Sequence, residues 1–510
     1  MNGACIRHTE LPGASRLFLD FLYDFPRVSS FYPHDPSDPA SLNRSIATIE
    51  YPAARRAAVA EALRSINGDS PSLELFSQPG TVAILTGQQV GLYGGPAYTL
   101  YKALSAIQLA QELNKGGKPA VAIFWLATED HDVEEIRSAA FWDADITATA
   151  SSDGRPAGLH TLVGLPDDLP LNAEIAALAK RHYQNGKTFG ESFLSLLQEL
   201  LSPLGLLFAD PLNPQLRAAG APFLAEAARR APELATAMLA RNSELSAAGY
   251  HPQVHFERNN TSFFFVLENG KRQQLKFDEN TYQPDAMAAH GAALSPNALL
   301  RPVWQDWLFP TAALIGGPGE LAYFAQSAVL YQAMLDRMPL VLPRAFFTIV
   351  DPKSAKTVER FRVRYADMLH GEEHVRETLA KRLVPPDLTQ AIQTAERDIN
   401  KIFATLETML DQFDPTLSKA LESSRKKIRY QFSKSQSKII SEMFYTAQHT
   451  GIEKIHLCID VKSVVLQRRT THAKPVLAFE QTGSLSHFTV GVFNCLAFIQ
   501  HHTIKTLFAQ

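Results

Sequence analysis

Residues 82–136 of this 510-residue chain are VAILTGQQVGLYGGPAYTLYKALSAIQLAQELNKGGKPAVAIFWLATEDHDVEEI, and this stretch decides the fold. The apolar run 82–85 is too short for a helix and rich in branched residues, so it predicts a buried parallel strand. A glycine-rich loop follows, and apolar residues then recur at helical spacing over 98–113. A second apolar run, 120–127, begins after Gly116-Gly117, a typical helix end. The stretch therefore predicts a strand-helix-strand unit of a parallel sheet.

Two unusual sequences of this unit fall where parallel sheets bind ligands. Such ligands lie beyond the carboxyl ends of the strands, where backbone N–H groups at a helix N-terminus attract anions. The first strand ends in a Gly/Gln-rich loop, 87–96, and the second in the acidic run Glu129-Asp130-His131-Asp132. We expect the loop to hold a polar group of a ligand; the alternative is that its glycines only permit a tight turn. Its pattern matches neither G-x-G-x-x-G nor G-x-x-x-x-G-K-[ST], so it is not a known nucleotide signature.

A second loop of the same kind, Gly316-Gly317-Pro318-Gly319-Glu320, also follows an apolar run and precedes a helix, which carries Tyr323. Two such loops predict two walls of one cleft. Arg301 and Gln305 lie just upstream, at positions where purely structural residues are more often apolar.

Two further basic residues are candidates, each with a structural alternative. Arg344 ends an apolar run and is either an anion-binding residue or half of a structural ion pair. Lys102 lies about one turn into the helix after the first loop and is either a binding residue or a solvated surface lysine.

Composition limits the class of protein. A chain of 510 residues can bury a large core and should form two or three domains. Its apolar content of 45% and charged content of 20% are typical of a soluble globular protein. A net charge of −3 attracts neither nucleic acid nor an anionic membrane. No apolar run approaches the roughly 18 residues of a membrane span. The N-terminus shows no recognisable signal peptide. We expect a cytoplasmic protein without a nucleic-acid or membrane partner.

The three cysteines Cys5, Cys458 and Cys495 are scattered and form no C-x-x-C motif, which argues against a disulfide framework or a zinc site.

We expect five regions along the chain. Residues 1–150 hold the first half of the sheet core and an N-terminal segment that wraps it. Residues 151–295 form an insertion of helices and a β-hairpin that turns at Glu268-Asn269-Gly270. Residues 296–352 complete the core, 353–450 form a coiled-coil arm, and 451–510 return to the core.

A heptad pattern predicts the arm. Its apolar positions alternate in steps of four and three: Leu388, Ile392, Ala395, Ile399, Ile402, Leu406, Met409 and Phe413. A second helix from about Thr416 should return antiparallel. Because two helices alone bury little surface, we expect the hairpin to pack on the core or on another subunit, and we favour a dimer contact.

These motifs together resemble a known family, the cysteine ligases of bacillithiol biosynthesis, which add cysteine to glucosaminyl-malate. The matching pieces are residues 86–96 with 98–102, 124–132, 300–305, Pro310, 316–323 and Pro343-Arg344. Several independent motifs in the family's order, with the arm after them, make the match specific. Beyond about residue 450 the chain looks unlike the family's usual ending.

The resemblance implies an α/β fold. It consists of a Rossmann-like parallel-sheet core with connecting insertions, similar in outline to class I aminoacyl-tRNA synthetases, plus an antiparallel α-helical coiled-coil arm used for dimerisation. The implied activity joins the carboxyl group of L-cysteine to the amine of glucosaminyl-malate. The two loops with which those synthetases clamp nucleotide phosphates are not in place here, so use of ATP with Mg²⁺ is an analogy from fold alone.

Amide formation requires an activated carboxylate, a neutral amine and donors that stabilise the tetrahedral oxyanion. We therefore expect catalysis by the run Glu129, Asp130, His131 and Asp132, with one of the first three removing the amine proton. Asp130-His131-Asp132 could instead hold a divalent metal, but adjacent residues at a strand end point to opposite sides, so we expect no metal site.

Substrate binding is expected of the two glycine loops and the basic residues beside them. Arg301 or Arg344 would pair bidentately with the malate carboxylates. The full set of expected binding residues is Gly87, Gln88, Gln89, Tyr93, Gly94, Gly95, Lys102, Arg301, Gln305, Gly316, Gly317, Gly319, Glu320, Tyr323 and Arg344.

Two other functions compete with the ligase. One is a non-catalytic binding or assembly protein, whose cleft captures a thiol metabolite and whose arm recruits a partner. The other is a nucleotidyl-transfer enzyme. A charged cluster beside two glycine loops favours an enzyme over a binding protein.

Overall fold

The computed structural model describes residues 5–140, 145–150, 153–171, 173–257, 263–274, 283–348, 350, 352–383, 386–413, 421–428, 430, 431 and 434. They fall into two compact units. Residues 13–348 form the first unit, and residues 5–12 group with those from 350 onward in the second.

All strands among the described residues lie in the first unit. In chain order they are β1 (Val82–Gln88), β2 (Ala120–Leu126), β3 (Ser138–Ala140), β4 (Asp145–Thr147), β5 (Leu206–Ala209), β6 (Phe264–Glu268), β7 (Lys271–Gln274), β8 (Leu294–Pro296), β9 (Thr311–Gly316) and β10 (Leu340–Pro343).

The helices of the first unit surround these strands. They are α1 (Arg16–Tyr23), α2 (Ser41–Ala47), α3 (Ala53–Asn67), α4 (Pro71–Ser77), α5 (Tyr98–Lys115), α6 (Val133–Ile136), α7 (Ala173–His182), α8 (Phe189–Leu201), α9 (Pro214–Arg229), α10 (Ala231–Ala247), α11 (Pro284–Ala289), α12 (Arg301–Leu308) and α13 (Pro318–Leu335).

Five parallel strands form the central sheet in the order β10-β9-β1-β2-β5. Alternate residues of a strand enter two different cores, as Ile84 and Leu85 do. Helices α5, α7 and α8 supply side chains to the core on one face, and α1, α3, α9 and α13 to the core on the other. Burial on both faces explains why β2 and the first four residues of β1 are continuously apolar in sequence. The predicted Rossmann-like parallel core is confirmed.

The strand order reverses at β1, which pairs with β2 on one side and β9 on the other. Helix α5 follows β1 on one face of the sheet, whereas α13 follows β9 on the opposite face. The two connections therefore diverge and leave a crevice beyond the carboxyl ends of β1 and β9, the usual ligand position in such sheets. Both predicted glycine loops begin at this crevice.

Strand β5 is an edge strand that the sequence does not reveal. Its four residues lie inside the predicted insertion, yet they pair with β2 in parallel, with Ala122 opposite Leu206 and Trp125 opposite Ala209. An apolar run of four residues between two helices gives too short a pattern to identify a strand.

The β-hairpin of the insertion is confirmed. Strands β6 and β7 are antiparallel, and Asn269 and Gly270 connect them with positive φ values of 51° and 72°. This is the backbone that a tight hairpin turn requires. Strand β8 adds a third antiparallel strand beside β6.

The alanine-rich stretch 214–247 forms two helices. Helix α9 continues through Pro222, and the chain breaks at Arg230, two residues before Pro232. Pro232 lies in the first turn of α10, where a missing N–H costs no helical hydrogen bond.

The second unit is helical, with α14 (Pro352–Arg360), α15 (Tyr365–Leu369), α16 (Glu372–Leu383) and α17 (Pro386–Phe413). Residues 421–428 are also helical. Arg425 Nη1 lies 3.9 Å from Glu407 Oε2, so this segment runs beside α17. Glu10 forms an ion pair with Arg364, which ties residues 5–12 to this unit.

The predicted heptad seam of α17 is half-buried at Ile392, Ala395 and Ile399 but exposed at three later positions. Phe403 is buried, whereas the seam residues Ile402, Leu406 and Met409 are 59%, 41% and 62% exposed. The loop of the expected hairpin, most of its returning helix, the segment 451–510 and two of the cysteines lie outside the described residues; Cys5 is an exposed free thiol. No helix in the described part of the chain is long and apolar enough to cross a membrane.

Candidate functional site

The carboxyl end of the sheet collects charged side chains from five parts of the chain. They come from helix α5, the turn between β2 and α6, helix α12, the start of α13 and the residue after β10. The insertion adds Arg217 from α9 and Arg272 from β7.

Lys102 holds the crevice together and is not a surface lysine. It is only 4% exposed, and its ammonium group donates to Gly87 O (3.1 Å) and Gln88 Oε1 (3.0 Å) and forms an ion pair with Glu320 Oε2. Three acceptors match its three N–H bonds. Glu320 also accepts from Gly317 N at 2.8 Å, which caps the start of α13. Lys102 therefore positions Gln88 and Glu320 on the two sides of the crevice.

The second half of the first glycine loop is a packed turn, and the N–H groups of Gly94 and Gly95 are used within the protein. Residues 90–97 are all buried. Gly94 N donates to Tyr183 Oη (2.8 Å), and Tyr183 Oη donates to Gly91 O (2.9 Å). Gly95 N donates within the loop to Leu92 O (3.1 Å). The alternative interpretation of the sequence, a tight turn with positive φ, describes this loop.

Tyr93 is also part of this packed turn. Tyr93 is 1% exposed, and its backbone has a φ of 52°. The centroid of its ring lies 4.9 Å from the centroid of the Tyr183 ring. Burial raises the pKa of its phenol to about 12. Gly87 is required for packing too, because a Cβ there would lie 2.7 Å from Trp125 O. The structure thus gives Gly87, Tyr93, Gly94 and Gly95 structural positions.

Glu129 differs from the rest of the acidic run. It is 2% exposed, and its Oε2 accepts from Arg217 Nη1 at 3.0 Å. Arg217 also donates to three backbone carbonyls, of Pro211, Ala292 and Leu294. This buried ion pair fastens the insertion to the end of β2, so the structure gives Glu129 an anchoring position where sequence analysis expects a catalytic one.

Asp130 is held ionised by arginines. Burial alone raises the pKa of its carboxyl group, but Arg301 and Arg272, with hydrogen bonds from His131 N (2.7 Å) and Gln89 Nε2 (3.2 Å), lower that pKa below its ordinary value. A carboxylate that binds protons this weakly is a poor base at neutral pH.

His131 is oriented by the hairpin. Arg272 Nη1 lies 2.9 Å from His131 Nδ1, and the Arg272 guanidinium stacks on Phe265 at 3.7 Å. Because arginine only donates, Nδ1 is the acceptor and the neutral ring carries its hydrogen on Nε2. His131 is thus arranged as a hydrogen-bond donor, which disfavours it as the amine base. Its side chain is 54% exposed.

Asp132 accepts from Glu135 N at 3.2 Å and so caps α6. Arg272 thus contacts His131, and Asp132 contacts its own helix. The described residues contain no group of three or more His, Cys, Asp or Glu side chains that could hold a metal ion.

Glu135 is a site residue that sequence analysis did not select. Gln89 Nε2 donates to Glu135 Oε2 at 2.5 Å and to Asp130 Oδ2 at 3.2 Å, so one amide group joins the two carboxyl groups. Burial raises the pKa of Glu135 to about 7. The sequence indicates this position through its spacing. Glu135 lies three residues after Asp132, the N-cap of α6, so its side chain extends from the first turn of the helix back towards the strand.

Arg301 and its neighbours form the opposite side of the crevice. Burial lowers the pKa of Arg301, but Tyr323, through its charge and a side-chain hydrogen bond, and the Asp130 carboxylate raise it above its ordinary value. Gln305 lies one turn further along α12 on the same face and is 9% exposed. Arg301, Tyr323, Asp130 and Glu320 thus act electrostatically as one group.

Arg344 is held by aromatic rings. Its guanidinium lies 5.0 Å from the Tyr98 ring and 4.2 Å from the Phe346 ring, and Nη1 donates to Ala345 O at 3.1 Å. Stacking leaves the edge of a guanidinium group able to bind a planar anion. Gly316, Gly317 and Gly319 form the turn from β9 into α13 beneath it.

The fold is that of an α/β protein with a Rossmann-like core and a helical second unit. A family model described as the N-terminal Rossmann-like domain of bacillithiol biosynthesis BshC matches residues 1–345. A second model, the C-terminal coiled-coil domain of BshC, matches residues 347–444. The chain belongs to the BshC family of bacillithiol biosynthesis, which confirms the resemblance seen in its sequence.

Curated relatives agree over most of the chain. A protein of Solibacter usitatus is 41% identical over 480 residues, 90% of this chain and 91% of its own length. Proteins of Koribacter versatilis and Salinibacter ruber are 33% and 29% identical and cover 84% and 83% of this chain, and 86% and 84% of their own lengths. All three are named "Putative cysteine ligase BshC".

The packed glycine loop makes a stability prediction. Tyr183→Phe keeps the aromatic ring but removes the hydroxyl that serves Gly94 and Gly91. We expect a loss of about 1–3 kcal/mol, because a buried N–H and a buried C=O lose their partner. Calorimetry should show a lower unfolding midpoint than for Tyr430→Phe, whose phenol is 63% exposed. Equal midpoints would contradict the role given to Tyr183.

The ion pair between Glu129 and Arg217 leads to a second stability prediction. Arg217→Met leaves a buried carboxylate without its cation, at a cost of about 3–5 kcal/mol. Adding Glu129→Gln removes the charge, so the double variant should recover part of the lost stability. Thermal or urea unfolding of both variants measures the difference. A double variant no more stable than Arg217→Met would show that the buried charge is not the cause.

Proposed function

We propose that this protein forms the amide bond between the carboxyl group of L-cysteine and the amine of glucosaminyl-malate, giving bacillithiol. The observation that supports the proposal is that the two sides of the crevice differ in charge. One side presents the cationic Arg301, which suits an anionic substrate, and the other presents the carboxyl groups of Asp130 and Glu135, which Gln89 joins. The names of the relatives support a cysteine ligase; the choice of glucosaminyl-malate rests on the family resemblance of the motifs.

Substrate binding is assigned to the arginine side. Arg301 is fixed by Tyr323, and Arg344 by two aromatic rings, so both guanidinium groups are oriented before a ligand arrives. A planar guanidinium binds a carboxylate through two parallel hydrogen bonds. The two carboxylates of a malate group fit two such arginines, and the buried amide of Gln305 lies beside the first.

The reaction itself needs a donor for the oxyanion and an acceptor for the amine proton. His131 carries its hydrogen on Nε2 and is directed by Arg272, so it suits the donor role. The cysteine carboxyl group must enter as an activated derivative. Gly94 and Gly95 direct their N–H groups into the protein, so these two groups are not available to a phosphate.

The decisive experiment is mass spectrometry of the purified protein with cysteine and glucosaminyl-malate, with and without ATP and Mg²⁺. We expect a product at the mass of bacillithiol, and its dependence on ATP identifies the activation route. Saturation at one ligand per chain without product would instead indicate a binding protein. Release of pyrophosphate from ATP without the sugar would indicate nucleotidyl transfer.

The same assay tests the arginine side. Arg301→Met should raise the KM for glucosaminyl-malate by about 10- to 100-fold, the value of one charge-assisted pair. The matched control is Arg137→Met, since Arg137 pairs with Glu134 outside this group. A KM unchanged in Arg301→Met would remove this residue from substrate binding.

We also propose that the protein is a homodimer joined through the coiled-coil unit. The support is the heptad seam, because Ile402, Leu406 and Met409 repeat with coiled-coil spacing and yet stay exposed on one chain. A second copy carries the same stripe and would bury it. The polar surroundings of α17, with Lys401 81% exposed, are those of a solvated face.

Ultracentrifugation tests the dimer. The wild-type protein should sediment at twice the chain mass of 56.3 kDa. Ile402→Glu with Met409→Glu should yield monomers, because two buried charges per chain are costly, whereas the control Lys401→Glu should stay dimeric. A monomeric wild-type protein would refute the proposal.

A further inference from the structure

We infer that Glu135 is the group that accepts the proton of the attacking amine, an inference that rests on the proposed ligase function. Glu135 lies on the first turn of α6, directly after the acidic run, and is connected to that run through Gln89. None of the four residues of the run has the combination of position and charge that this role requires.

The contacts of Glu135 differ from those of the other carboxyl groups at this edge. Glu129 pairs with Arg217, Glu320 pairs with Lys102, and Asp130 lies in the field of two arginines. The Glu135 carboxyl group accepts from the Gln89 amide at 2.5 Å and has no arginine or lysine nitrogen within 4 Å in the part of the chain that the structure describes. A carboxylate without a cationic partner binds a proton more strongly than its paired neighbours do.

The surroundings of Glu135 reinforce this difference. Burial is the main cause that raises its pKa to about 7, and the like charges of Asp130 and Asp132 raise it further. The Gln89 hydrogen bond and the more distant Lys102 ammonium act in the opposite direction. At neutral pH the group is therefore divided between its two protonation states, which suits a group that gains and loses a proton in each cycle.

Gln89 contacts two carboxyl groups to which we give different roles. Its Nε2 has two hydrogens, and each is donated to a different carboxyl group, Asp130 at 3.2 Å and Glu135 at 2.5 Å. Asp130 stays ionised and faces Arg301. Glu135 Oε2 is occupied by Gln89, and Oε1 of the same carboxyl group is the atom that receives the proton. Two titratable groups with pKa values moved apart by their environments are a common basis for acid and base roles.

The proton transfer accompanies bond formation. The neutral amine nitrogen attacks the carbonyl carbon of a cysteine carboxyl group that enters as an activated acyl derivative, with a leaving group bonded through oxygen. As the C–N bond forms, the nitrogen becomes positive and gives its proton to Glu135 Oε1. The C–O bond to the leaving group then breaks, and the leaving group departs with the electron pair. Glu135 returns its proton to water.

The test compares Glu135→Gln with Glu134→Gln in the bacillithiol assay. Glu134 is the matched control, because it is the neighbouring carboxylate and pairs with Arg137 at the surface. We expect kcat to fall by about 100-fold or more in Glu135→Gln with the KM of glucosaminyl-malate changed less than about threefold. Glu134→Gln should behave like the wild type, and Glu135→Asp should recover part of the loss.

The pH profile separates this role from a structural one. The wild-type kcat should rise with pH through a limb near pH 7, because the base must lose its proton, and Glu135→Gln should lack that limb. A variant that keeps its kcat, or one that changes only KM, would overturn the inference.

A second measurement does not depend on turnover. The Glu135 pKa is raised from 4.5 to about 7 in the folded protein, so the folded state binds more protons than the unfolded state between these values. The wild type therefore loses stability as pH rises through this window, whereas Glu135→Gln cannot lose it in this way. The unfolding midpoint of Glu135→Gln, measured relative to that of the wild type, should therefore be higher at pH 8 than at pH 5.

The two measurements distinguish the possible failures. A wild-type protein that makes no product, with or without ATP, would refute the ligase function, while the midpoints still show whether Glu135 exchanges a proton near pH 7. A midpoint difference that is the same at pH 5 and pH 8 would overturn the inference about Glu135 whatever the assay shows.

Discussion

The site depends on the buried ammonium group of Lys102. A charged group this deeply buried is tolerated only when every N–H bond finds an acceptor, and its acceptors come from the end of β1 and from the start of α13. These two elements lie on opposite sides of the point where the strand order reverses. One side chain therefore fixes the width of the crevice in which the proposed chemistry takes place.

The carboxyl groups around Lys102 differ in the partners that they contact. The carboxylates of Glu129 and Glu320 are neutralised by ion pairs, and that of Asp130 by the field of Arg301 and Arg272. Among the described residues, the Glu135 carboxyl group accepts only the hydrogen bond of the Gln89 amide, and burial raises its pKa to about 7. The acidic run is thus less uniform than its sequence, because burial and neighbouring arginines change the proton affinity of each carboxyl group separately.

The insertion between β2 and β9 completes the edge of the sheet. Tyr183 closes the first glycine loop, Arg217 pairs with Glu129, and Arg272 sets the tautomer of His131. Each contact joins residues that are 88 or more positions apart in the chain. Changes in the insertion should therefore affect the site even though none of its residues was selected from sequence.

The sequence by itself determined the parallel core, the two glycine loops at one edge, the hairpin turn at Asn269-Gly270 and the family, since these follow from local periodicity and from short motifs. Tertiary structure alone decided which members of those motifs face the crevice. Nothing local shows that Gly94 donates to Tyr183, that Glu129 is paired with Arg217, or that β5 joins the sheet. These outcomes depend on partners distant in the chain, and the partner of a buried polar group, more than its own identity, determines whether it binds, anchors or exchanges a proton.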